Sequence, residues 1–213
     1  MAGLAAVSRP DRPIGLAYSG GRPPGGRRGR QAVENGVLAM VVFLATETML
    51  FAGLISAYLV LRAGAAAWPP PDQPRLPIAI TALNTLVLLA SAYAMQRAAG
   101  AARVRRRSEA AGWLATTAAL GAAFLLVQGV EWIRLVRHGL GVAAGPYGAT
   151  FYTLIGCHGL HVLAAVLTVT VLLARMLAPA GLPRWPTRLE VCRLYWHFVV
   201  VVWPVLYVLV YLR

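Results

Sequence analysis

The side chains that could do chemistry are few. The chain carries four His, two Cys and seven acidic residues in 213 positions. The informative ones are Glu47, Glu131, His158 and His161, because each interrupts an apolar run. Glu47 lies in ATETMLFAG near the middle of its run. A charge at that depth of a membrane helix costs roughly 2.5–3.5 kcal/mol on insertion scales. The Glu side chain is too short to reach water from there. It must be protonated, or hydrogen-bonded to a donor on another helix. Three roles fit: a neutral acid tying two helices, a proton-linked group, or a contact to lipid or to another protein.

His158 and His161 occur in IGCHGLHVL. A spacing of three puts both on one helix face. That face continues through Leu154, Ala165 and Thr168, and it is expected to meet other helices rather than lipid. His161 matches Glu47 in depth, so a Glu47–His161 contact across helices is expected. Metal or heme ligation is the alternative. It fits poorly, because two His on one face of one helix do not flank a heme from opposite sides. The other two, His138 and His197, sit nearer the expected membrane boundaries. Gln128 and Glu131 share a face in LLVQGVEWIRL, with Arg134 three residues on. A boundary salt bridge to Arg134 is the expected reading of Glu131, and a proton role is its rival. Cys157 and Cys192 form no disulfide framework and no CxxC pattern, so they read as small buried thiols. A dicopper electron-acceptor site is not encoded.

The elements that must position these residues follow from composition. The chain is 59% hydrophobic and only 13% charged, with mean hydropathy +0.65. Soluble domains run at about 45–50% apolar and about 25% charged. A soluble globular enzyme is therefore excluded, and an all-α, polytopic membrane bundle is expected. Five apolar runs are long enough to span, at about 35–61, 77–96, 111–135, 148–177 and 191–212. Residues 1–33 are rich in Gly, Pro and Arg, hold no signal-peptide core, and read as a disordered basic cytoplasmic tail; residues 34–213 form the membrane domain. Neither internal repeats nor broken-helix pairs are visible, which argues against a stand-alone proton-coupled transporter. Gly53 and Ala57 give a small-residue face for close packing in the first span. Pro204 is expected to kink the fifth. The Trp residues fall mostly near run ends, as interfacial anchors.

The net charge is +13, carried by 20 basic residues, all Arg. Fifteen lie in the tail, the second–third loop and the fourth–fifth loop, against five on the other side. The positive-inside rule then places the N-terminus in the cytoplasm and the C-terminus outside. The basic charge answers to membrane orientation and anionic headgroups, not to nucleic acid.

Together the motifs resemble a family. The order ETMLFAGLISAYL, WPPP, QGVEW, FYTLIGCHGLHVL, LYWHFVVVVW is similar to subunit III of the heme-copper oxidases, from about Gln31 onward. HGLHV followed some thirty residues later by YWHF is the most specific part. The resemblance is to the short bacterial form with five helices, the longer form having seven. It implies an accessory, non-catalytic subunit of a proton-pumping terminal oxidase that passes electrons from cytochrome c to oxygen. No redox centre is expected in this chain. Heme and copper belong to the partners, oxidase subunits I and II, and phospholipid is bound between helices, in a bacterial cytoplasmic (inner) membrane. Glu47 aligns with the family's buried, carbodiimide-reactive carboxylate. Glu131, Gln128, His158, His161, Trp196 and His197 align with motif residues of structural or lipid-linked role. Val200 stands where the family usually has Asp, Cys157 replaces a Phe, and Lys is absent. The missing Asp leaves room for a relative serving a quinol oxidase or a nitric oxide reductase. A heme-binding cytochrome b-like protein is the remaining rival.

Overall fold

At 1.5 Å per residue, about 20 helical residues cross a hydrocarbon layer of about 30 Å, and all five apolar runs exceed that. A computed structural model describes residues 25–71, 76–179 and 183–212, with side chains from residue 35 onward. It is all-helical among the described residues, with five helices long and apolar enough to cross a membrane. These are α1 (Gly25–Ala63), α2 (Ile78–Arg103), α3 (Arg107–Arg137), α4 (Pro146–Leu177) and α5 (Trp185–Tyr207). A π-helical turn, Val208–Leu212, continues α5.

Every helix is longer than the apolar run that announced it. Helix α2 runs past the expected end at 96 because QRAAGAAR is built from good helix formers. Helix α5 starts at Trp185 rather than 191, with Pro186 in its first turn, where a missing N–H costs nothing. Of the basic tail expected over 1–33, residues 1–24 lie outside the described residues, and residues 25–33 belong to α1. Pro204 does not end α5. The chain passes through it, and the widened π turn follows four residues later.

Helices α2 and α3 form a tight hairpin. The turn between them places Arg105 at φ 57, in the left-handed region. Helix α5 packs on α2 and α4, and α4 also packs on α3. Helix α1 rests on α4 and α5 from outside and leaves Met49, Val60 and Leu38 exposed. The expected close packing at Gly53 and Ala57 is absent. Both are exposed, and a methyl group added at Gly53 would meet nothing within 4 Å. The face that α1 turns to the bundle is instead Phe51 and Tyr58, larger residues that reach across a wider gap.

The tightest approach lies at Gly121 of α3. A methyl group there would stand 2.5 Å from the Trp196 ring and 2.8 Å from Val166. Trp196 and Trp203 are fully buried, which corrects their reading as interfacial anchors. Their indole N–H groups donate to Ser91 (3.1 Å) and Thr85 (2.8 Å) on α2. A buried indole needs such an acceptor, and the small hydroxyls of α2 supply it. Trp68, Trp113 and Trp185 are only partly buried and lie near helix ends.

Candidate functional site

Two polar centres emerge, one part-buried and one buried. The first joins α1 to α4. Glu47 Oε2 lies 2.8 Å from His161 Nε2, so the expected cross-helix contact is present. His161 Nδ1 lies 2.7 Å from the Cys157 carbonyl. A carbonyl only accepts, so Nδ1 carries a hydrogen and donates it. The other nitrogen then either accepts the proton of a neutral Glu47 or, as imidazolium, donates to a carboxylate. One proton is shared, and the pair is neutral overall in both arrangements. That resolves the cost of an acid in the middle of α1 without exposing a net charge to hydrocarbon. Phe51 presses edge-on against His161 at 5.1 Å between ring centroids. The Tyr195 hydroxyl donates to the His161 carbonyl at 3.4 Å. The two side chains are 16% and 15% exposed, so the pair sits near the bundle surface rather than at its axis.

His158, one turn earlier on α4, points inward. It is fully buried, stacked on Trp203 at 5.1 Å and 25°, with Phe124 and Phe51 edge-on around it. Neither ring nitrogen has a hydrogen-bond partner. The predicted face holds at Leu154 and Ala165, both buried, but not at Thr168. Thr168 is exposed and returns its hydroxyl to the Ala164 carbonyl.

The second centre lies between α2 and α3. Glu131 is 2% exposed and accepts from the Thr81 hydroxyl at 3.1 Å. The expected salt bridge to Arg134 does not form: Arg134 is exposed, and no ion pair joins the two. Three residues along an α-helix turn the side chain by about 300°, and here that rotation carries Arg134 outward while Glu131 faces α2. Gln128 is buried and donates to the Tyr211 hydroxyl at 3.2 Å. Asn84 donates to the Phe124 carbonyl at 3.1 Å.

The remaining candidates have local roles. His197 Nδ1 lies 2.9 Å from the Arg193 carbonyl of its own helix. Because α5 begins at Trp185, His197 sits near mid-helix rather than at the inner end. His138 likewise folds onto the Arg134 carbonyl, at 2.7 Å. Cys192 is buried, but Cys157 is only half-buried, which corrects its reading as a buried thiol. Val200 is buried within α5. The sequence reading missed Thr81, Asn84, Thr85, Ser91 and Tyr211. The spacing of the first four in PIAITALNTLVLLAS was the available signal, since small polar residues at that period define one face of an apolar helix.

Comparison with known proteins bears on what these centres serve. Residues 26–213 match the family model described as cytochrome c oxidase subunit III. A cytochrome c oxidase subunit 3 from a Synechocystis species is 36% identical over 177 residues, covering 83% of this chain and 75% of that protein. A probable cytochrome c oxidase subunit 3 from Mycobacterium leprae is 37% identical over 175 residues, covering 80% and 84%. A cytochrome c oxidase subunit 3 from Thermostichus vulcanus is 33% identical over 177 residues, covering 83% and 86%.

Proposed function

We infer the function from the premise that this chain belongs to the cytochrome c oxidase subunit III family: it is an accessory, multi-pass membrane subunit of a terminal oxidase. Its partners are the membrane-embedded subunits of that oxidase. Beyond this, we propose that it packs on subunits I and II, which hold the heme and copper and carry electrons from cytochrome c to oxygen. The chain itself supplies no redox centre and works as scaffold, with phospholipid bound against its helices. The setting proposed is the bacterial cytoplasmic membrane, with the N-terminus inside, where the Arg-rich loops meet anionic headgroups.

The observation that carries this reading is the Glu47–His161 hydrogen bond. The mid-membrane acid is satisfied within this one chain, by a neutral shared-proton pair that fastens α1 to α4. Its role is positional: it fixes the helix whose apolar surface is least covered by the rest of the chain. Holding that helix in register would keep the neighbouring catalytic subunit and its proton uptake in a durable arrangement.

The test is Glu47→Ala in the assembled oxidase. The expected result is an unchanged heme spectrum, with less of this chain and less phospholipid retained after purification in mild detergent. Loss of heme from the complex would overturn the scaffold role. Purification also separates the rivals. A subunit travels with heme proteins, whereas a transporter is stable and active alone, and a cytochrome b-like protein shows a Soret band by itself.

A further inference from the structure

Glu131 poses a problem that the accessory role does not answer. It is a buried acid whose one side-chain partner is the Thr81 hydroxyl, with no guanidinium paired to it. Burying an ionised carboxylate without a cation costs several kcal/mol, and such a group takes up a proton instead. Its second oxygen, Oε1, is buried and without a partner. So are Gln128 Oε1 and Asn84 Oδ1 on the same facing stretches of α2 and α3. Three acceptors thus lack donors. A proton on Glu131 Oε1 turns that atom from an acceptor into a donor, and a buried water supplies two hydrogens for the remaining acceptors.

The cluster is also next to open space. Tyr211, whose hydroxyl receives Gln128, lies beside Glu131. The same tyrosine forms part of the wall of a cavity of about 450 Å³, with Trp68, Leu76, Ile78 and Tyr147. Liquid water occupies about 30 Å³ per molecule, so this cavity has room for several. It opens where α2 begins, α4 begins and α5 ends, at the Arg-poor end of the bundle. Glu47 is elsewhere, between α1 and α4, and takes no part in this cavity.

We propose that Thr81, Glu131, Gln128 and Tyr211 form a water- and proton-holding site, with Glu131 as a neutral acid that exchanges its proton through the cavity at the Arg-poor end. The step is a proton transfer alone. An O–H bond of a hydronium ion breaks as one forms on the carboxylate, and no electrons change hands. The groups facing Glu131 are Thr81 from α2, Gln128 from its own helix and Tyr211 from the π turn, with Tyr147 of α4 behind Tyr211. None is a cation. The site stands on these residues and does not depend on which electron donor the oxidase uses.

Infrared spectroscopy of the intact oxidase complex, moved from H2O to D2O, tests the proposal. The expected result is a protonated-carboxyl band that shifts in D2O, is lost in Glu131→Gln and remains in Glu47→Gln. Ile78→Trp, which fills the cavity from its rim, should slow that shift several-fold. Should Glu131→Gln not assemble, Thr81→Val and Glu131→Asp take its place, and each should displace the same band. A Glu131 band absent from the wild-type-minus-variant spectrum overturns the neutral acid. Exchange as fast in Ile78→Trp as in the wild type overturns the route.

Discussion

Which nitrogen of His161 holds its hydrogen decides what Glu47 can do. Nδ1 is committed to the Cys157 carbonyl, so Nε2 and Glu47 must share the one remaining proton. Glu47→Gln keeps a donor toward Nε2 and is expected to preserve the α1–α4 fastening. Glu47→Ala leaves a part-buried imidazole nitrogen unpaired and should destabilise the docked helix by about 1 kcal/mol. Thermal dissociation of this chain from the purified complex reads the difference between the two. Trp203→Phe is a second case. It removes the N–H that Thr85 accepts and thins the stack on His158, at a cost of about 1–3 kcal/mol. A melting temperature equal to the wild type would contradict it. The Glu47–His161 pair was legible because depth follows from position in a run, and two polar groups at one depth seek each other. The partner of Glu131 was not. Thr81 and Tyr211 are ordinary residues in an apolar sequence, and only the packing of α2 and the π turn against α3 brings them together.

At the scale of elements, glycine matters where two helices crowd. Gly121→Ala would drive a methyl group into Trp196 and Val166 and is expected to cost about 1–3 kcal/mol. Gly53→Ala meets open space and should be neutral in the isolated chain. Thermal melts of the two variants in detergent check the contrast. All five helices were visible as apolar runs, because hydrocarbon dictates their length. Their ends were not, because α2 and α5 extend through sequences that are helix-forming without being apolar. The Gly53–Ala57 face makes no close contact within this chain for a related reason. Small residues permit close approach, but the larger Phe51 and Tyr58 occupy the face that α1 turns inward.

For the whole molecule, the Arg distribution is the broadest signal. Fifteen Arg in the tail and at two connections, against five opposite, carry the proposal that the α2–α3 turn faces the cytoplasm. A single Cys introduced at Arg105, in a chain whose two native Cys are replaced by Ala, should react with a membrane-impermeant thiol reagent in inside-out vesicles and not in intact cells. The reverse pattern would invert the proposed topology. Fold class was readable from composition alone, because such apolar excess has no soluble solution. What composition could not show is that buried Ser, Thr and Asn line one side of α2, where Ser91 and Thr85 accept from α5 and Asn84 donates to α3.

The Glu47–His161 bond also sets a timetable for synthesis. Its two ends lie 114 residues apart in sequence. Ribosomes add about 5–20 residues per second, so α1 inserts roughly 6–23 seconds before His161 exists to meet it. Through that interval a newborn helix holds an acid in the bilayer with its eventual partner still unmade. The acid must wait in protonated form, or against the insertion machinery, until α4 arrives.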